Sequence, residues 1–182
     1  MNWPNLVSYL RILLIPLVIL CFFSGLPNAN FWAALLFTIA SLSDWLDGFL
    51  ARCLNQTSKF GAFLDPVADK LLVAIVLIAL VAAYPSLLLA TAVIITRELL
   101  ISALREWMAT KGQREVVAVA FSGKLKTTVQ MIAIIGLLLY IPAYPSWAWQ
   151  IAFVLIQLAA LLSVYSMFHY FRNAWNSLQD ES

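Results

Sequence analysis

The sequence predicts an all-α integral membrane protein with six transmembrane helices. Three observations carry that prediction. Hydrophobic residues make up 63% of the chain and charged residues only 11%, whereas a soluble domain carries roughly 25% charged residues. Mean hydropathy is strongly positive. The apolar residues fall into six runs, at 6–23, 31–50, 67–83, 87–108, 126–141 and 147–170. Most of these approach the ~20 residues needed to cross the hydrocarbon core; the fifth is short by that standard and either extends toward Gly123 or tilts little. No internal repeat, low-complexity tract or soluble domain is visible, so residues 1–182 read as one membrane domain.

The links between the runs set the topology. Links 24–30, 82–86 and 142–146 hold no charged residue and carry Pro27, Pro85, Pro142 and Pro145, which suit tight turns. The charged residues gather toward the opposite side, which the positive-inside rule makes cytoplasmic, with both termini there. Trp32, Tyr84, Tyr140, Tyr144, Trp147 and Trp149 are expected as an aromatic belt on the far face. The first run lacks a preceding basic cluster and a small-x-small cleavage site, so it reads as retained. Cys21 and Cys53 fall near opposite membrane faces, too far apart for a disulfide. The formal net charge of +2 is uninformative about partners, and no nucleic-acid partner is expected.

In the first element, Trp3 and Pro4 precede the apolar run and are expected to lie along the cytoplasmic interface. Arg11 either snorkels to the headgroups or joins Asn5 and Ser8 in lining a cytoplasmic cavity. The second element ends in Asp44-x2-Asp47-Gly48-x2-Ala51-Arg52, which puts Asp44, Asp47, Gly48 and Ala51 on one helical stripe. The two small residues permit close approach of a ligand or a neighbouring helix. Arg52 offers a fork of donors suited to phosphate, or serves as a cytoplasmic anchor.

Asp65 and Pro66 are expected to open the third helix, with Asp65 as a plausible N-cap, and Asp69 lies one turn further in. Asp44 and Asp47 are three apart, Asp65 and Asp69 four apart, so each pair shares a helix face. A helix hairpin through Lys59 and Gly61 could bring all four together. Carboxylates crowded at a membrane edge repel one another and lose hydration unless a cation sits among them. A hard divalent ion such as Mg²⁺ or Mn²⁺ suits all-oxygen ligands.

The fourth element carries Arg97, Glu98 and Arg105; the two arginines are eight apart and share a face. An arginine inside an apolar run is expensive, which makes it a functional candidate or one half of an ion pair with Glu98 or an aspartate. Lys111, Arg114, Gly123, Lys124, Lys126 and Thr127 then offer either phosphate contacts or simple interfacial anchoring. The last two elements hold little polar chemistry beyond Gln130 and Gln157. His169 reads as interfacial and residues 173–182 as a mobile tail.

Taken together, Asp44-x2-Asp47-Gly48-x2-Ala51-Arg52-x8-Gly61-x3-Asp65-x3-Asp69 resembles the signature of the CDP-alcohol phosphotransferases, with every fixed position filled at the expected spacing. The likeness runs over the whole chain and is strongest to bacterial members that use glycerol 3-phosphate as acceptor. It is carried there by the stretches at 60–70, 96–108 and 123–127. Cys53 departs from it, standing where a second basic residue is expected. The resemblance implies the family's six-helix fold with a cytoplasm-facing polar cavity, in the inner membrane of a bacterium. It also implies transfer of the phosphatidyl group of CDP-diacylglycerol to sn-glycerol 3-phosphate, giving phosphatidylglycerophosphate and CMP. It assigns two divalent cations, Mg²⁺ or Mn²⁺, to Asp44, Asp47, Asp65 and Asp69, and the role of base to Asp69. Gly48, Ala51, Arg52 and Gly61 would lie along the CDP moiety. Arg97, Arg105, Lys124 and Lys126 would hold the acceptor's phosphate. A homodimer surrounded by membrane lipids is implied as well.

Sibling activities differ in the acceptor: phosphatidylglycerol, as in a cardiolipin synthase, or inositol phosphate. The Arg97 and Arg105 pair favours a phosphorylated acceptor, because an uncharged one would leave the guanidiniums unpaired. A divalent-cation transporter is the rival from another class. Against it, no repeat is visible and the polar residues stop on one side of the membrane.

Overall fold

The computed structural model describes the backbone of residues 3–54, 59–111 and 121–179, and the side chains of residues 9–43, 66–111 and 125–175. Among the described residues the elements are all helical. They are α1 (Trp3–Phe23), α2 (Ala29–Leu54), α3 (Lys59–Ala83), a 3₁₀ turn (Pro85–Leu87), α4 (Leu88–Thr110), α5 (Phe121–Leu139) and α6 (Ser146–Gln179). Segments Pro66–Ala83, Pro85–Thr110 and Ser146–Trp175 are long and apolar enough to cross a membrane. The other three helices contain the shorter apolar stretches Tyr9–Phe23, Ala29–Ser43 and Leu125–Leu139. Large apolar side chains stand outward in rows, Leu10, Leu13, Leu17 and Leu20 on α1 and Leu158, Leu161, Tyr165 and Phe168 on α6. Such rows belong in lipid, not water.

The chain divides into two compact units, one of residues 1–85 and 134–149 and the other of residues 86–133 and 150–182. In the first unit, α1 packs on both α2 and α3, and α2 also touches α3. The inward stripe of α1 is Arg11, Leu14, Ile15 and Val18; that of α2 is Ala33, Ala34, Phe37, Ala40 and Ser43, all buried. Small residues on α2 let the backbones approach, which is how helices gain contact where water drives nothing.

The same unit ties the three charge-free links together. After α1 the chain reverses through Gly25 (φ 66°) and Asn28 (φ 59°), a left-handed geometry that glycine and asparagine tolerate. Asn30 Nδ2, at the start of α2, then donates to the carbonyl oxygens of Leu138 (2.9 Å) and Tyr140 (3.0 Å) at the end of α5. Tyr84 donates to the Tyr140 carbonyl at 3.5 Å, and the rings of Tyr84, Tyr140 and Trp149 pack on one another with centroids 4.6 to 6.3 Å apart. Burial, and after it the neighbouring Tyr140, raise the Tyr84 phenol above its ordinary pKa, so it remains a neutral donor. Asn30→Ala removes both donations to helix-end carbonyls, which at about 1 kcal/mol each lowers the melting temperature in detergent by several degrees. Catalytic rate per folded molecule is expected to be unchanged, and an unaltered melting temperature would show the clamp to be dispensable.

Several sequence expectations need correction. The third helix does not open at Asp65: α3 starts at Lys59 and contains Pro66, so Asp65 lies inside it and is no N-cap. Phe, Ala and Leu sustain the helix ahead of the proline, whose missing N–H is tolerable where neighbouring helices support the backbone. α1 runs unbroken from Trp3, without a separate interfacial segment. α5 does extend to Gly123, as expected, and begins two residues earlier at Phe121. α6 continues to Gln179, so residues 173–179 are helix and not a mobile tail. Arg11 does not snorkel: it is fully buried, and its Nε lies 3.4 Å from Ser43 Oγ on α2. His169 is exposed, with Asn173 Nδ2 3.4 Å from its ring nitrogen Nε2.

Candidate functional site

The acidic signature occupies the facing ends of α2 and α3. Asp44, Asp47, Gly48, Ala51 and Arg52 lie on α2, and Gly61, Asp65 and Asp69 on α3. Four residues of sequence separate the two helices, and so short a connection joins antiparallel neighbours. At 1.5 Å per residue, Asp44 and Asp47 stand about 15 and 10 Å before the end of α2. Asp65 and Asp69 stand about 9 and 15 Å after the start of α3 on the same rise. The two pairs therefore fall at matching levels on helices that touch. The side chains of Asp44, Asp47, Gly48, Ala51, Arg52, Gly61 and Asp65 lie outside the described residues, as do those of Asn5, Ser8 and Lys124. Asp69 is described and partly exposed, flanked along α3 by fully buried Ala68 and Leu72. One helix away in the same unit, Arg11 reaches Ser43, the residue before Asp44, so a buried cation adjoins the signature's first turn.

The second unit holds the basic residues in a network. Arg97 on α4 is buried and donates from Nε (3.2 Å) and Nη2 (2.9 Å) to Ser166 Oγ on α6. Its Nη1 lies 3.5 Å from Glu98 Oε1. Lys126 on α5, also buried, pairs with the same carboxylate oxygen. Arg105 Nη2 donates to Tyr170 Oη at 3.1 Å, while its Nε is buried without a hydrogen-bond partner among the described residues. Both guanidiniums lie over the ring of Tyr170, Arg97 at 5.7 Å and Arg105 at 5.3 Å from the centroid. Tyr170 is seated among Ile101, Leu104, Met108 and Ala174.

The expectation that Arg97 and Arg105 share a face thus holds, and the ion-pair reading of Arg97 is met by Glu98, while its other donors go to Ser166 on α6. Lys126 is brought together with Arg97 through Glu98. Sequence reasoning missed Ser166 and Tyr170. The signal was present: Ser163, Ser166 and Tyr170 form a polar stripe at i, i+3 and i+7 along an otherwise apolar helix. An apolar groove of about 260 Å³ runs beside this network, lined by Ala92, Val93, Thr96, Arg97, Leu100, Val164 and Met167. Arg97 thus adjoins surface fit for hydrocarbon. Three cations and one carboxylate in this described cluster can hold an anion, and the acidic helix pair can hold a hard cation.

Comparison with known proteins identifies the family. The family described as CDP-alcohol phosphatidyltransferase matches residues 1–165. A protein of Shigella flexneri serotype 5b (strain 8401), named CDP-diacylglycerol–glycerol-3-phosphate 3-phosphatidyltransferase, is 46% identical over 182 residues, 99% of this chain and 98% of its own length. Proteins of the same name from Escherichia coli strain K12 and Escherichia coli O157:H7 match with the same identity and coverage. With its signature on α2 and α3 and that likeness along nearly its full length, the chain belongs to the CDP-alcohol phosphatidyltransferase family.

Proposed function

We propose that this chain transfers the phosphatidyl group of CDP-diacylglycerol to sn-glycerol 3-phosphate, releasing CMP and forming phosphatidylglycerophosphate. The observation that carries this reading is the 46% identity, over almost all of both chains, to enzymes named for that reaction. The acceptor's free hydroxyl attacks the phosphorus that bears the diacylglycerol. A new P–O bond forms, the P–O bond to CMP breaks, and the hydroxyl proton passes to Asp69. Phosphoryl transfer asks a protein mainly for positioning and charge stabilisation. Arg97 and Arg105 supply the acceptor's positioning through its phosphate, assisted by Lys124 and Lys126. Gly48, Ala51, Arg52 and Gly61 accommodate the CDP moiety.

Asp44, Asp47, Asp65 and Asp69 offer a purely oxygen donor set at matching helix levels, a fit for two divalent cations, Mg²⁺ or Mn²⁺. Cations held by these residues would supply charge neutralisation to the diphosphate and the departing CMP. The six helices cross the inner membrane as one domain, with both termini and the reaction centre on the cytoplasmic side. The three charge-free links bound together in the first unit support this, because helices that alternate in direction bring alternate links to one end. Acyl chains reach the site from surrounding lipid, and the protein acts as a homodimer.

The test is CMP release by the purified full-length protein in detergent, with glycerol 3-phosphate, phosphatidylglycerol, inositol phosphate or serine as acceptor. Release with glycerol 3-phosphate alone is expected, with phosphatidylglycerophosphate identified by mass spectrometry. Chelation is expected to abolish it and Mg²⁺ or Mn²⁺ to restore it. Release with a different acceptor would reassign the substrate, and release that survives chelation would remove the metals.

A further inference from the structure

We propose that Tyr170, together with Ser166, is a positioning residue: it sets Arg97 and Arg105 as a matched pair of phosphate donors without neutralising either. The inference rests on the acceptor reading above and deepens it.

Two guanidiniums on one face of α4 repel each other, and holding them together in an apolar setting requires attraction from a third group. A carboxylate would supply it, but would also cancel the charge and compete with an incoming phosphate. α6 offers neutral groups instead. The Tyr170 ring, 1% exposed, lies under both cations and attracts both through its π face. Its hydroxyl oxygen accepts from Arg105 Nη2 at 3.1 Å.

One turn earlier, Ser166 Oγ donates its single proton to the Ser163 carbonyl at 3.0 Å, which leaves its lone pairs to accept two N–H groups from Arg97. Neutral oxygens on α6 thereby orient both forks without adding negative charge beyond that of Glu98 beside Arg97. Glu98 partly offsets Arg97 and also carries the pairing of Lys126, so the described cluster still holds more positive than negative charge. Arg105 Nε, buried and without a hydrogen-bond partner among the described residues, is a further donor suited to an anion. A phosphate monoester, with close to two negative charges and three acceptor oxygens, matches two guanidinium forks.

The experiment is steady-state kinetics on Tyr170→Phe, Tyr170→Leu and Ser166→Ala, with Arg105→Ala as the reference variant, varying each substrate separately. Tyr170→Phe keeps the ring and loses the hydroxyl, so the KM for glycerol 3-phosphate is expected to rise roughly tenfold. The KM for CDP-diacylglycerol is expected to stay within about twofold, because the donor substrate does not use this pair. Tyr170→Leu loses the ring as well and is expected to be worse, so that phenylalanine counts as partial rescue. Ser166→Ala is expected to follow Tyr170→Phe.

If Tyr170→Leu fails to fold, Tyr170→Phe and Ser166→Ala, which keep the packing, decide. A rise in acceptor KM with Arg105→Ala but none with Tyr170→Phe or Ser166→Ala would overturn the positioning role and leave the acceptor site standing. Equal shifts in both substrates' KM, or loss of kcat alone, would also overturn it. No change in acceptor KM with Arg105→Ala would instead overturn the acceptor reading on which this one rests.

Discussion

Asp69→Asn is expected to lower CMP release by about 10²–10⁴-fold, the range that loss of a general base produces, with further loss if metal affinity falls as well. Asparagine keeps the size of the side chain and one carbonyl oxygen, but cannot take up the acceptor's proton and ligates a hard cation weakly. The site on α3 is partly exposed and flanked by buried Ala68 and Leu72, so the change leaves the packed face of the helix untouched. Thermal unfolding in detergent is therefore expected to change little. The two measurements separate chemistry from folding. Near-normal turnover would strip Asp69 of both roles, and a collapsed melting temperature would make the loss of activity a folding effect.

Arg105→Ala is expected to raise the KM for glycerol 3-phosphate roughly 10- to 100-fold, the equivalent of one or two charge-assisted hydrogen bonds. The KM for CDP-diacylglycerol is expected to change little. Arg105 is a more informative target than Arg97. Arg97 is bound to Ser166 and lies against Glu98, so its removal leaves a buried hydroxyl and a buried lysine's counter-ion in altered surroundings. Arg105 has the Tyr170 hydroxyl and ring as its described partners, and its loss strands no charge among them. Arg105→Lys keeps the charge without the planar fork and is expected to fall between the two. If the KM for CDP-diacylglycerol rises instead, Arg105 belongs to the donor substrate and the pocket assignment is wrong.

The helices were legible in the sequence because apolar runs near membrane length admit few other structures, and among the described residues each run corresponds to a helix, three of them long and apolar enough to cross a membrane. Their ends were not. Hydropathy marks where a helix leaves apolar residues, whereas hydrogen bonding carries it on through polar ones. α3 consequently begins at Lys59, well before the apolar run, and α6 passes Tyr170 to reach Gln179. The acidic signature was legible because spacing along one helix is a local property, and the pairs at 44 and 47 and at 65 and 69 need only helical backbone to share a face. The same logic put Arg97 and Arg105 on one side of α4, where the structure finds them converging on a single ring.

The sequence by itself determined that this is a helical membrane protein of the CDP-alcohol phosphatidyltransferase family, with a pair of aspartates on each of two successive helices and two arginines on one face of a third. Each of these depends on composition or on intervals within one helix. The tertiary structure alone decided what faces the charges. Arg11 could have snorkelled, but packing against α2 buried it beside Ser43. Glu98 could have served Arg97 alone, yet it also holds Lys126 from a helix 28 residues away in sequence. Ser166 and Tyr170, 65 to 69 residues from their arginines, looked like minor polar breaks in an apolar helix. Partners across helices depend on rotation and depth in the packed bundle, and no interval within a single helix encodes those.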